Sequence, residues 1–131
     1  MKVRELYTPN ALTAHPGEDL SVAASRMQFH EIGALAVYDR RSLAGIITER
    51  DVLRAVGEGR IPEVTTVAEY MSPEPVTVAP DMEVGQAAAL MVSLGARHLP
   101  VTEGSELVGM LSARDLLSVK AWDDMVASAG R

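Results

Sequence analysis

A chain of 131 residues has the size of one ordinary domain, and 47% hydrophobic residues are enough to build a core. Only 4% of residues are aromatic, which leaves few platforms for stacking bases, and a net charge of -6 repels a phosphate backbone; both disfavour nucleic acid as a partner. The absence of cysteine removes disulfides, thiolate metal sites and Cys nucleophiles.

In chain order, Val3 to Tyr7 reads as a short turn or helix ahead of Pro9, and Ala11 to Ala14 as a short extended run. Pro16 then punctuates the chain before a helix from Leu20 to His30, with Leu20, Ala23, Ala24 and Met27 on one face. The strands Ala34 to Tyr38 and Leu43 to Thr48 flank the polar turn Asp39-Arg40-Arg41-Ser42 and form a hairpin. A second helix follows from Glu49 to Val56, ended by Gly57 and Gly59. Residues 57–66 read as a linker. No apolar run follows Met1-Lys2-Val3-Arg4 as in a signal peptide, and no stretch reaches the length of a membrane span. A soluble, cytoplasmic protein with no membrane partner is expected.

The same order then returns at an offset of 64 positions, without a gap. Val3-x-Glu5 meets Val67-x-Glu69, and Pro16 meets Pro80. Ala23-Ala24-x-x-Met27 meets Ala87-Ala88-x-x-Met91, and Leu35-x-Val37 meets Leu99-x-Val101. Leu43-x-Gly45 meets Leu107-x-Gly109, and Arg50-Asp51-x-Leu53 meets Arg114-Asp115-x-Leu117. The second copy predicts an extended run Val76 to Val78, a helix on Val84, Ala87, Ala88 and Met91, and strands His98 to Thr102 and Glu106 to Ser112. Its closing helix runs from Ala113 to Val119. The period exceeds that of most solenoid repeats. The fold class is therefore mixed α/β (α+β), two tandem β-α-β-β-α repeats over residues 3–60 and 67–122, related by a pseudo-twofold axis.

Two stretches carry a family resemblance, Leu43-Ala44-Gly45-Ile46-Ile47-Thr48-Glu49-Arg50-Asp51 and Leu107-Val108-Gly109-Met110-Leu111-Ser112-Ala113-Arg114-Asp115. With the hairpin entry Arg97-His98-Leu99-Pro100-Val101, each copy resembles a CBS (cystathionine β-synthase type) domain, and the whole resembles a stand-alone CBS pair, or Bateman module. The resemblance implies a regulatory module that takes an adenosyl ligand (AMP, ADP, ATP, S-adenosylmethionine or NAD) in the cleft between the repeats and signals to a partner protein in trans.

The residues suit that ligand. Thr48 and Ser112 end a strand where a helix begins, a position that caps a helix and lies at its electropositive end. Asp51 and Asp115 follow three residues on, and a carboxylate can accept both hydroxyls of a ribose. Arg50 and Arg114 offer paired donors to phosphate oxygens, with Arg97 and His98 adding charge at the second hairpin. An adenine base would lie near Leu12 and Val76. Helix capping alone also accounts for Thr48 with Asp51 and Ser112 with Asp115, which leaves a ligand-free interaction or oligomerisation module as the alternative. No nucleophile–base pair or metal cluster can be assembled, so no enzyme and no catalytic cofactor is expected. The copies differ at the hairpin entry, where the family often has Gly then Pro. The first copy has Gly33 but Ala36, and the second has Pro100 but Arg97.

The first helices differ as well. Arg26, Gln28 and His30 become Leu90, Val92 and Leu94. A helix apolar nearly all round is buried on both sides. Leu90, Val92 and Leu94 are therefore expected in a homodimer interface, or under the C-terminal segment, where Trp122, Met125 and Val126 fall at helical spacing.

Overall fold

The computed structural model describes residues 1–129, with backbone alone at Val119 and Lys120. A 3-10 turn over Val3–Glu5 leads to β1 (Thr8–Pro9), β2 (Thr13–Ala14), α1 (Leu20–His30), β3 (Ala34–Asp39), β4 (Ser42–Thr48) and α2 (Glu49–Gly57). A second 3-10 turn, Pro62–Val64, precedes α3 (Val67–Tyr70), β5 (Ser72–Pro73) and α4 (Val84–Leu94). The chain continues with β6 (His98–Glu103), β7 (Glu106–Ser112), α5 (Ala113–Leu116) and α6 (Val119–Ala129). The expected order holds, as a mixed α/β chain with two sheets, except that the second copy's extended run Val76 to Val78 is reduced to a single parallel bridge between Val78 and Val101. One helix also ends early. The helix expected from Ala113 to Val119 stops at Leu116, because Ser118 starts a new helix: its hydroxyl accepts the Ala121 N–H at 3.3 Å.

The compact units are not the sequence repeats. Residues 12–75 form one unit, and residues 1–11 with 76–131 form the other. The leading segment of each copy packs on the body of the other copy. Within the first unit, Val67 and Ala68 donate to Glu18 O and Pro16 O at 2.8 and 2.9 Å, while Leu20 donates to Thr65 O at 2.8 Å. Within the second, Val3 and Arg4 donate to Met82 O and Pro80 O at 2.9 and 2.8 Å, while Val84 donates to Met1 O at 2.9 Å. β5 completes the sheet β2-β3-β4-β5, and β1 completes the sheet β1-β7-β6, each antiparallel to the long hairpin strand beside it. Period-two and period-3.6 patterns report faces, not partners, so this exchange left no trace in them.

Each unit has its own core. In the unit of residues 12–75, Leu20, Leu35, Val37, Ile47 and Val67 are fully buried, and Tyr70 nearly so. In the other, Val3, Ala87, Leu99, Val101 and Leu111 are buried, with Leu90 and Met82 packed against them. α1 and α4 thus bury the face on Ala23 and Met27 or Ala87 and Met91. Leu90 is accordingly only partly exposed, packed against its own unit's core. Val92 and Leu94 remain 84% and 48% exposed.

Two glycines of the long strands are explained by the exchange. A Cβ on Gly45 would lie 2.7 Å from Ser72 O and 2.8 Å from Met71 Sδ, and one on Gly109 would collide with Thr8 O and the Tyr7 ring. Only a residue without a side chain lets the exchanged segment cross that close.

Candidate functional site

The candidate site residues gather at the strand-to-helix junction of each hairpin. In one unit, Thr48 ends β4 and is the N-cap of α2. Its backbone N–H and hydroxyl both donate to Asp51 Oδ2, at 2.9 and 3.0 Å, and its hydroxyl oxygen accepts the Asp51 N–H at 3.2 Å. In the other unit, Ser112 ends β7 and caps α5. Its N–H donates to Asp115 Oδ2 at 2.8 Å, and its hydroxyl accepts the Asp115 N–H at 3.1 Å. Both junctions are reciprocal capping boxes, in which each member satisfies a helix-end N–H of the other.

These contacts leave less helix-end donor capacity than a bare N-terminus would have. The first helical N–H, that of Glu49 or Ala113, donates to Gly33 O at 3.0 Å or Arg97 O at 2.8 Å. The third goes to the capping hydroxyl. Among the described residues, the Arg50 and Arg114 N–H groups are the first-turn donors that neither contact takes. Gly33 and Arg97 thus do the same backbone work, and the missing family glycine at Arg97 costs no hydrogen bond.

The carboxylates are partly shielded, with Asp51 15% exposed. The guanidinium groups of Arg50, Arg97 and Arg114 stand in solvent, and among the described residues they enter no salt bridge. His98 is half-buried and lies directly across the β6–β7 ladder from Ser112. The structure therefore brings Arg97, His98, Ser112, Arg114 and Asp115 to one end of one hairpin, and Thr48, Arg50 and Asp51 to the matching end of the other. Ala34 replaces His98 across from Thr48.

Two contributors were not foreseen. Arg54, one turn beyond Asp51, approaches Asp51 Oδ1 at 3.5 Å and donates to Tyr70 O at 3.2 Å. Its guanidinium also lies 4.7 Å from the centre of the Tyr70 ring, and that of Arg60 lies 5.5 Å away. Tyr70 donates its hydroxyl to Glu58 at 2.7 Å, and that carboxylate raises the phenol above its usual range. Glu69, receiving the Thr66 N–H and then Arg60, is lowered to about 2. The i, i+3 spacing of Asp51 and Arg54 was the available signal. The link to Tyr70 depends on the exchanged segment.

Among the described residues no group of three or more His, Asp or Glu side chains is placed to hold a metal ion, and no helix is long and apolar enough to cross a membrane.

The CBS domain model matches residues 3–58 and again 67–121. The chain is 34% identical over 128 residues to the CBS domain-containing protein YhcV of Bacillus subtilis, covering 97% of this chain and 91% of that one. It is 34% identical over 125 residues to a protein of Methanopyrus kandleri, covering 93% of this chain but 64% of that longer protein. Among solved structures, the CBS domain pair of protein MJ0100, in complex with 5′-methylthioadenosine and S-adenosyl-L-methionine, superposes with a TM-score of 0.85 over 94% of this chain and 98% of that one. At 24% identity that likeness is one of fold. With the family matched twice, over two β-α-β-β-α units that end in the same capped junction, the chain belongs to the CBS domain family as a tandem CBS pair, a regulatory module.

Proposed function

We propose that this CBS pair is a sensor that binds an adenine nucleotide or another adenosyl ligand and passes the change to a partner protein in trans. The observation that carries the reading is the duplicated junction. Thr48 with Asp51, and Ser112 with Asp115, present a half-buried carboxylate in the same setting twice, 64 positions apart. In each box the cap holds Oδ2, and a ribose diol would approach Asp51 from the Oδ1 side. Arg50, Arg97 and Arg114 stand in solvent beside these carboxylates, suited to phosphate oxygens. Arg97 and Arg114 stand in solvent at the Ser112–Asp115 junction, whereas Arg54 at the other is engaged by Asp51 and Tyr70, so the Ser112–Asp115 junction is the better place for a phosphate. The pair works without catalysis, in the cytoplasm.

Isothermal titration with AMP, ADP, ATP, S-adenosylmethionine and NAD tests this reading. At least one should bind, and Asp51→Ala or Asp115→Ala should abolish binding at its own junction. No heat with any of the five overturns it.

A second reading is favoured by the apolar surface. Val92 and Leu94 on α4, Leu53 and Leu117 at equivalent positions of the two copies, and Trp122, Met125 and Val126 on α6 are all exposed. Such residues suit a homodimer through α4, with Leu90 contributing from below. Sedimentation at micromolar concentration should then show a dimer that Val92→Glu converts to monomer. A wild-type chain that stays monomeric removes the dimer.

A further inference from the structure

The two junctions differ in what stands one turn beyond the carboxylate. In the first copy it is Arg54, and 64 positions later it is Ser118, whose side chain is committed to starting α6. Arg54 makes three contacts at once. It lies 3.5 Å from Asp51 Oδ1, donates to the Tyr70 carbonyl at 3.2 Å, and covers the Tyr70 ring at 4.7 Å. Tyr70 is buried and is held from its other end by Glu58 at 2.7 Å. It closes α3, the exchanged segment that β5 continues into the sheet beside β4. Asp51 thus divides its two oxygens, Oδ2 to the cap of α2 and Oδ1 to a cation fastened to the exchanged segment.

We infer that Arg54 is a positioning residue of the first junction, orienting the Asp51 carboxylate and tying its occupancy to residues 67–71, a tie that Ser118, its counterpart at the second junction, does not make among the described residues. A hydroxyl that engages Oδ1 must share it with Arg54 or displace it. Either way the hold of Arg54 on the Tyr70 carbonyl and ring changes. The planar guanidinium is suited to serving carboxylate, carbonyl and ring together, which a lysine ammonium cannot do. Signalling from the first junction therefore leaves through α3 and β5, by a route that Ser118 does not reproduce at the second. The ligand half of this inference rests on the adenosyl reading, but the tie itself does not.

Amide hydrogen exchange over residues 67–71 tests it in two arms. Without ligand, Asp51→Asn keeps an oxygen for the cap and removes the charge facing Arg54. It should speed exchange of these amides about fivefold in the wild-type background and add nothing in an Arg54→Met background. Arg54 is half-exposed, so Arg54→Met should fold, and Arg54→Lys, which keeps the charge, should fall between the two. The same response to Asp51→Asn in both backgrounds, or no response in either, overturns the tie. With AMP at saturation, exchange at 67–71 should slow in the wild type. In Arg54→Met, AMP should bind several-fold more weakly, and that slowing should be lost although binding at high concentration persists. Slowing that survives Arg54→Met overturns the outlet. If AMP and the other four ligands leave the wild type unbound, the adenosyl reading falls and the ligand-free arm still decides the tie.

Discussion

Arg26 and Glu18 meet in a two-pronged ion pair, Nη2 to Oε2 at 2.8 Å and Nη1 to Oε1 at 3.2 Å, while Nη1 also donates to Thr13 O at 2.9 Å. Glu18 in turn accepts the His15 N–H at 2.7 Å. The pair clamps α1 to strand β2 and to the turn that follows it. At the equivalent positions of the second copy stand Leu90 and Met82, both packed against the core. One copy closes this seam with charges, the other with apolar contact.

The seam should therefore be exchangeable as a pair and not by halves. Arg26→Leu alone leaves Glu18, 26% exposed, without its cation and Thr13 O without its donor, at a cost of about 1–2 kcal/mol. Glu18→Met with Arg26→Leu should recover most of that loss. A double-mutant cycle by urea unfolding measures it; additive single effects would show that the two residues act independently.

The seam also shows why the sequence was legible in some respects and not in others. The order of the helices, the bounds of α1, the buried face of α4 and both hairpins followed from periodicity and the repeated turns. α4 is as apolar as its sequence indicates, but Leu90, expected beside Val92 and Leu94, packs partly against its own core, because the residue it replaces lies half-buried in a seam. That seam depends on Thr13 and Glu18, far from Arg26 in the first-helix pattern. The Thr/Ser–Asp junctions were legible as spacing. The tie from Asp51 to Tyr70 was not, because it needs a segment from the other copy.

Three positions adopt left-handed backbone in both copies, and at two of them glycine stands in the second copy where the first has a side chain. Glu31 (φ 53) ends α1 where Gly95 (φ 64) ends α4, and Arg40 (φ 60) turns the first hairpin where Gly104 (φ 60) turns the second. A side chain in this region costs roughly 1 kcal/mol that glycine avoids. Glu31→Gly and Arg40→Gly should each raise the melting temperature by a few degrees, and Gly95→Ala should lower it. A fall in either glycine variant would mean that its side chain makes a contact worth more than the strain.

Acid should loosen the unit of residues 12–75 through its depressed carboxyls, Glu18 and Glu69 among them. Arg26 holds Glu18 below its ordinary value of 4.5, and the Thr66 N–H with Arg60 holds Glu69 at about 2. A carboxyl depressed in the fold stabilises it above the unfolded value and loses that contribution as pH falls through the folded one. Stability should therefore hold from neutral pH down to about 4.5 and decline from there towards 2. Glu69→Gln keeps an oxygen for the Thr66 N–H but does not titrate. Its urea midpoint should be lower than wild type at pH 7 and approach it at pH 2; a constant gap would exclude Glu69 from the acid response.

The exchange of leading segments is testable through the two glycines that admit it. A methyl on Gly109 meets the Tyr7 ring and the Thr8 carbonyl, and a methyl on Gly45 meets the Ser72 carbonyl as well as Met71. A thioether can turn aside, but a backbone oxygen paired into the sheet cannot, so each Gly→Ala should push out the segment crossing it at a cost of about 1–3 kcal/mol. The damage should be reciprocal to the sequence repeats. Gly109→Ala in the second copy should speed amide exchange at Val3, Arg4 and Asn10, whose N–H groups bond to Met82, Pro80 and Val108. Gly45→Ala in the first copy should do so at Val67, Ala68 and Glu74, bonded to Glu18, Pro16 and Ala44. Were each copy to hold its own leading segment, the assignments would be the other way round: Gly45→Ala would free Val3 and Arg4, and Gly109→Ala would free Val67 and Ala68. One pair of exchange maps distinguishes the two arrangements.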